Sequence, residues 1–123
     1  MARRKPPRRE RPKAPESEYR DAEGNVLVLR GAMTPGTRRQ YAETAGANPL
    51  GATSASREDA WQRSVEFLFE RLAVRWEIAG TEPLTRQQEL LARFRFAGAA
   101  ERGWIRDVLR EHLAEHFPDL EAP

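Results

Sequence analysis

The chain has 123 residues, of which 39% are hydrophobic and 33% charged, with no cysteine and a net charge of +2. This is room for one domain, and it excludes disulfides, thiol catalysis and thiolate metal sites. No apolar run approaches the roughly 20 residues of a membrane span, and no signal-peptide pattern opens the chain, so a soluble cytoplasmic protein is expected.

The charge is unevenly placed. Residues 1–13 carry Arg3, Arg4, Lys5, Arg8, Arg9, Arg11 and Lys13 against the single acid Glu10, a net +6, which leaves −4 for the remainder. Pro6, Pro7, Pro12 and Pro15 deny this stretch a helix, and it has almost no apolar surface to offset the entropy of ordering. Residues 1–18 therefore read as a disordered basic arm. The seven cations are candidate nucleic-acid contacts, because arginine pairs with phosphate and the release of condensed counterions drives binding. Arginine outnumbers lysine 19 to 2 along the whole chain, so the arm also reflects a general bias in composition.

Residues 19–55 form a second region. Asp21, Glu23, Gly24 and Asn25 are turn formers between Tyr19-Arg20 and Val26-Leu27-Val28-Leu29-Arg30, which predicts one short β-hairpin. Thr34-Pro35 reads as a helix cap followed by proline at the first helical position, opening a short helix over residues 36–45. Residues 46–55, with Asn48, Pro49, Gly51, Thr53 and Ser54, read as a loop.

Residues 56–117 predict a three-helix module. Ser56 with Asp59 resembles a capping box, and residues 56–79 lack both Gly and Pro, so one helix of about 35 Å is expected before Gly80 ends it. Trp61, Val65, Leu68, Phe69, Leu72 and Trp76 follow the helical period and form its apolar stripe. Phe67 falls off that stripe. A second helix is expected after a Thr85–Gln88 capping box, burying Leu90, Leu91 and Phe94 until Gly98. A third runs from residue 99 or 100 to 117, burying Trp104, Ile105, Val108, Leu109, Leu113 and Phe117 before Pro118. Residues 118–123 remain as a tail. The predicted fold is mainly α: a small antiparallel helical bundle with a short N-terminal β-hairpin and a disordered basic arm.

One motif has the look of an enzyme signature. His112-Leu113-Ala114-Glu115-His116 matches the inverted zinc-protease pattern, with two histidines one helical turn apart. Only seven residues follow, Pro118 ends the helix at once, and Glu121 on a fraying tail is a poor third ligand. No nucleotide-binding glycine loop or nucleophile elbow is present either, and the paired acids sit beside arginines on amphipathic helices. The expectation is a protein without enzymatic activity, metal or cofactor.

The turn and strand Asp21-Ala22-Glu23-Gly24-Asn25-Val26-Leu27-Val28-Leu29-Arg30-Gly31, followed by Glu66-Phe67-Leu68-Phe69-Glu70-Arg71-Leu72 and Arg75-Trp76-Glu77-Ile78-Ala79-Gly80, resembles the small tail assembly chaperones of long-tailed actinobacterial phages and prophages. The likeness runs from Tyr19 to Phe117. It implies a protein that coats the helical tape-measure protein during tail assembly, in the cytoplasm of a bacterial host, and carries over no binding residues. Trp61, Phe67 and Trp76 are the expected contacts with a helical client, and a homo-oligomer is compatible with the same surface. The alternatives are a nucleic-acid-associated protein that makes weak contact through residues 1–15, and a structural component of a phage particle.

Overall fold

Val26–Arg30 is the densest β-branched apolar run in the chain, and the fold is organised around it. The computed structural model describes residues 15–46 and 54–123. The elements run β1 (Glu16–Arg20), β2 (Val26–Arg30), α1 (Pro35–Gly46), α2 (Ser54–Leu72), β3 (Ala73–Glu77), α3 (Gln87–Phe96) and α4 (Ala99–His116). The three strands form one antiparallel sheet in the order β1-β2-β3, with β2 in the centre.

The hairpin forms as the turn residues demand. Asp21 accepts hydrogen bonds from the backbone amides of Glu23 and Asn25, both at 2.9 Å, and Gly24 takes a positive φ of 84° that side-chain-bearing residues rarely adopt. Strand β1 starts at Glu16, so the predicted arm does not extend to residue 18. The reason lies in the tertiary structure: Ser17 and Tyr19 both hydrogen-bond to histidines of α4, far away in sequence.

The principal departure from the sequence-based expectation is the end of the long helix. Helix α2 stops at Leu72, and residues 73–77 continue as a strand beside β2. Leu72 and Trp76 are four residues apart, a spacing that keeps two side chains on one face in a helix and also, being even, in a strand. The apolar pattern therefore cannot tell the two apart. The open edge of β2 decides, because its backbone groups need a partner when buried. Register shifts between Val28 and Leu29, which pair with Arg75 and Ala73, leaving Val74 as the extra residue of a bulge.

The helix starts also differ in detail. Thr34 caps α1 as expected, its hydroxyl accepting from the Thr37 amide at 3.1 Å. Helix α2 begins at Ser54, which places Ser56 inside it, and α3 begins after Arg86 with no side-chain cap, so neither predicted capping box stands at a helix start. Leu84 is instead tied to β3: its amide and carbonyl exchange hydrogen bonds with Trp76 at 2.9 and 3.0 Å. Helix α4 runs unbroken through Gly103.

The fold is thus mainly α with a three-stranded sheet, and the helices do not build the core by themselves. Leu27, Leu29 and Trp76 from the sheet and Tyr41 from α1 join Val65, Leu68, Phe69, Leu72, Leu90, Phe94, Ile105, Val108, Leu109, Leu113 and Phe117 in one buried cluster. Trp76 packs edge-on against Phe69, which stacks on Phe94 with ring centres 4.8 Å apart. On the other face of the sheet Val26 and Val28 are also buried, beside Glu18, Arg20, Arg75 and Glu77 on the flanking strands. Arg75 bridges Glu18 and Glu77 at 3.4 and 3.5 Å, and these part-exposed side chains belong to residues paired with Val26 and Val28 on this face of the sheet.

Candidate functional site

The three expected contact residues have separate fates. Trp61 is 42% exposed on α2. Phe67 is half-buried, with Tyr41 on one side at a ring distance of 6.1 Å and the Arg71 guanidinium 5.3 Å from its ring centre. Trp76 is 1% exposed, held in the core by β3 with the Arg93 guanidinium 5.1 Å from its ring centre, and offers no surface to a partner. Arg3, Arg4, Lys5, Arg8, Arg9, Arg11 and Lys13 lie outside the described residues.

A groove of about 270 Å³ opens where α2 meets the α3–α4 corner. Val65 and Phe94 form its buried floor, and Trp61 forms one wall. The other side comes from α4, where Gly103 and Ala99 leave space and Arg102 and Arg106 supply charge. Arg106 lies over the Trp61 ring at 4.5 Å and Arg102 over Phe94 at 5.2 Å. Arg102 also donates to the carbonyls of Arg95 at 2.8 Å and Ala97 at 3.1 Å, which fixes the corner between the helices. Between those two carbonyls sits Phe96, 85% exposed. Sequence periodicity gave no hint of it, because Phe94 already satisfies the buried face of α3 and Phe96 lies two residues further on, across the helix.

Trp61 has a second neighbour that the sequence leaves as a loose tail. Residues 119–123 fold back over α1 and α4: Tyr41 donates its hydroxyl proton to the Glu121 carbonyl, Arg106 Nε donates to the Pro123 carbonyl at 3.3 Å, and Arg38 pairs with Asp119 at 3.6 Å. Burial, with a smaller push from Glu121, raises the Tyr41 hydroxyl to about 12, so it remains a donor throughout the physiological range. A further hollow of about 250 Å³ lies between this segment and the α2 residues Ala60, Trp61 and Ser64.

The two histidines of the apparent zinc motif are engaged elsewhere. His112 is fully buried; its Nε2 lies 2.8 Å from the Arg30 carbonyl and its Nδ1 2.8 Å from the Tyr19 hydroxyl. A carbonyl can only accept, so Nε2 carries the proton and Nδ1 accepts from Tyr19. Burial lowers the His112 pKa and His116 adds to the effect, against the opposing pull of the Arg30 carbonyl and Glu115. A neutral imidazole with both nitrogens occupied has no lone pair to give a metal, and among the described residues no group of three or more potential ligands comes together.

His116 lies tilted against His112 with ring centres 4.5 Å apart and meets the Ser17 hydroxyl through Nε2 at 3.0 Å. A serine–histidine contact is the first element of a nucleophilic site, but such a site also needs an orienting group on the other ring nitrogen. Here Nδ1 faces Gly31, where an added Cβ would come within 2.9 Å of it. The geometry accounts for these side chains as the seam that joins β1 and β2 to α4. Neither Ser17 nor Tyr19 signals this seam in the sequence, since each reads locally as an ordinary strand residue.

No helix of the described residues is long and apolar enough to cross a membrane. Compared with protein-family models, curated proteins and solved structures, the chain matches none.

Proposed function

We propose that this chain is a non-enzymatic protein-binding protein that acts in assembly by holding a helical client in the groove beside Trp61, with Phe96 at the end of α3 as a second contact. The observation behind this reading is that Trp61, 42% exposed, walls a groove with an apolar floor, while Phe96, at the end of α3, is 85% exposed. Every other large apolar side chain among the described residues is at least partly buried, so the exposure is concentrated where α2 approaches the α3–α4 corner. A helix laid into such a groove anchors by side chains spaced three and four residues apart, and a charged rim keeps the complex reversible. The resemblance to tail assembly chaperones supplies the specific form of the proposal, with the tape-measure coiled coil as client.

The test is titration of the full chain with a coiled-coil fragment of a tape-measure protein, followed by calorimetry. Saturable binding that weakens by about 2 kcal/mol or more in Trp61→Ala/Phe96→Ala is the expected result. Full affinity in that double variant, or no binding in either protein, rejects the reading.

The density of cations in residues 1–13 favours a second reading, a nucleic-acid-associated protein anchored by Arg3, Arg4, Lys5, Arg8, Arg9, Arg11 and Lys13. Removal of residues 1–14 is the appropriate truncation, because Pro15 accepts a hydrogen bond from the Gly31 amide. Oligonucleotide binding that is steeply salt-dependent and lost on truncation supports this reading, and an unchanged affinity rejects it.

A further inference from the structure

Four arginines surround the α3–α4 corner, and they fall into two classes. Arg93 and Arg95 each meet a carboxylate at 2.7 Å, on Glu101 and Glu66 respectively. Arg102 and Arg106 line the groove, and among the described residues neither is within ion-pair distance of an Asp or Glu side chain; Arg102 donates to the Ala97 and Arg95 carbonyls, and Arg106 to the main-chain oxygen of Pro123. Among the described residues Arg106 uses only Nε in this way, which leaves the donors of its two terminal nitrogens to an incoming group. Each guanidinium also lies over an aromatic ring, Arg106 over Trp61 and Arg102 over Phe94. Stacking occupies the face of a guanidinium and limits the rotamers that a ligand would otherwise have to freeze; the edge of Arg106 keeps both terminal nitrogens, whereas Arg102 spends Nε and Nη2 on the Ala97 and Arg95 carbonyls and keeps Nη1.

We propose that this groove selects an acidic amphipathic segment of a protein partner, with an apolar side chain against Val65 and Phe94 and a neighbouring Asp or Glu carboxylate on the terminal nitrogens of Arg106, supported by the nearby charge of Arg102. This rests on the protein-binding reading above and adds to it the charge of the client. Charge complementarity decides the occupant: two cations face the groove against the single acid Glu58, and the carboxylates that neutralise the neighbouring arginines are already committed. A basic segment would find one carboxylate and two like charges. A wholly apolar segment would desolvate both guanidinium edges without replacing their water.

A display library of random short peptides, selected on the full chain and counter-selected on Trp61→Ala, tests this without presupposing the client. Selected peptides are expected to carry Asp or Glu within one helical turn of a large apolar residue. Their affinity should fall on the order of tenfold in Arg106→Gln, and by a similar factor when their acids are changed to Lys or the salt is raised. Because Arg106 also holds the 119–123 segment and Arg102 the α3–α4 corner, each Gln variant is paired with a Lys variant at the same position that keeps the charge, and the Gln change at either position should weaken the same peptides more than the Lys change. Peptides that depend on Trp61 but are neutral or basic, or are indifferent to both arginine variants, overturn the charge assignment and leave the protein-binding reading standing. If no selected peptide depends on Trp61, both fail. Displacement of a selected peptide by a single-stranded oligonucleotide, in a manner abolished by Arg106→Gln, overturns the proposal in favour of a nucleic-acid ligand.

Discussion

The Tyr19 hydroxyl donates to Nδ1 of His112 at 2.8 Å, and this bond spans 93 residues to join the first strand to the last helix. It also sets the histidine tautomer, because the Arg30 carbonyl already holds the proton on Nε2. Tyr19→Phe removes the donor and leaves Nδ1 without its partner, at a cost of about 1–3 kcal/mol in urea unfolding. Replacement of His112 by Ala, which also opens a hole in the core, is expected to cost more.

The same histidine makes stability depend on pH. Its folded pKa lies below the ordinary 6.5, so between the two values the unfolded chain binds the additional proton. Its contribution is complete above about pH 6.5 and is lost as the pH falls from there towards the folded pKa. Urea midpoints measured between about pH 7.5 and about pH 5 should decline, and His112→Gln should flatten that decline relative to the unaltered chain. An equal slope in both proteins would assign the pH dependence to other groups.

Trp61 and Trp76 share one stripe in the sequence but part company in the fold. Trp76→Ala empties a fully packed position and should destabilise by about 3–5 kcal/mol, whereas Trp61→Ala, at a 42% exposed position, should cost about 1 kcal/mol or less. A continuous helix with both residues on its buried stripe would predict comparable losses, so thermal and urea unfolding of the two variants separates the architectures.

Gly31 and Gly103 give opposite outcomes on mutation to Ala. At Gly31 a Cβ would lie 2.9 Å from His116 Nδ1 and from Pro15 Cγ, and 3.0 Å from the Pro15 carbonyl, so the seam must open and about 1–3 kcal/mol should be lost. At Gly103, in the body of α4, a Cβ would meet no atom within 4 Å, and the helix propensity of alanine should add up to about 1 kcal/mol. Differential scanning calorimetry should show a lowered Tm for the first variant and a raised one for the second.

Asp21 links the hairpin turn to the far edge of the sheet. Its carboxylate accepts from the Glu23 and Asn25 amides and from Asn25 Nδ2, and Asn25 in turn accepts from the Ala79 amide at 2.8 Å, just beyond β3. Burial alone would raise the Asp21 pKa, but the hydrogen bonds from Asn25, Glu23 and Gly24 outweigh it and hold the carboxyl below its usual 3.8. Its stabilising contribution is therefore present above about pH 3.8 and is lost as the pH falls through the lower folded value. Asp21→Ala should cost about 1 kcal/mol at neutral pH and speed amide exchange in Asn25 and Ala79 alike.

Local chemistry makes much of this protein legible from its residues. The hairpin follows from turn formers beside a β-branched run, the start of α1 from Thr34-Pro35, and α4 from an apolar repeat that ends before Pro118. These signals act within a few residues, so sequence alone determines them. The basic character of residues 1–13 and the absence of thiol chemistry are equally matters of composition.

What sequence could not determine are the relations between distant segments. Residues 72 and 76 share a face in a helix or a strand, and only the open edge of β2 makes β3 the outcome. The histidines fit a metal motif by spacing, yet Tyr19 and the Arg30 carbonyl occupy both nitrogens of His112. Trp61 has the period of a core residue, but the space opposite it is left open by Gly103 and bordered by arginines rather than filled by a helix face. Periodicity reports which side of an element is apolar; which neighbour covers that side, and where none does, is settled only when the whole chain has packed.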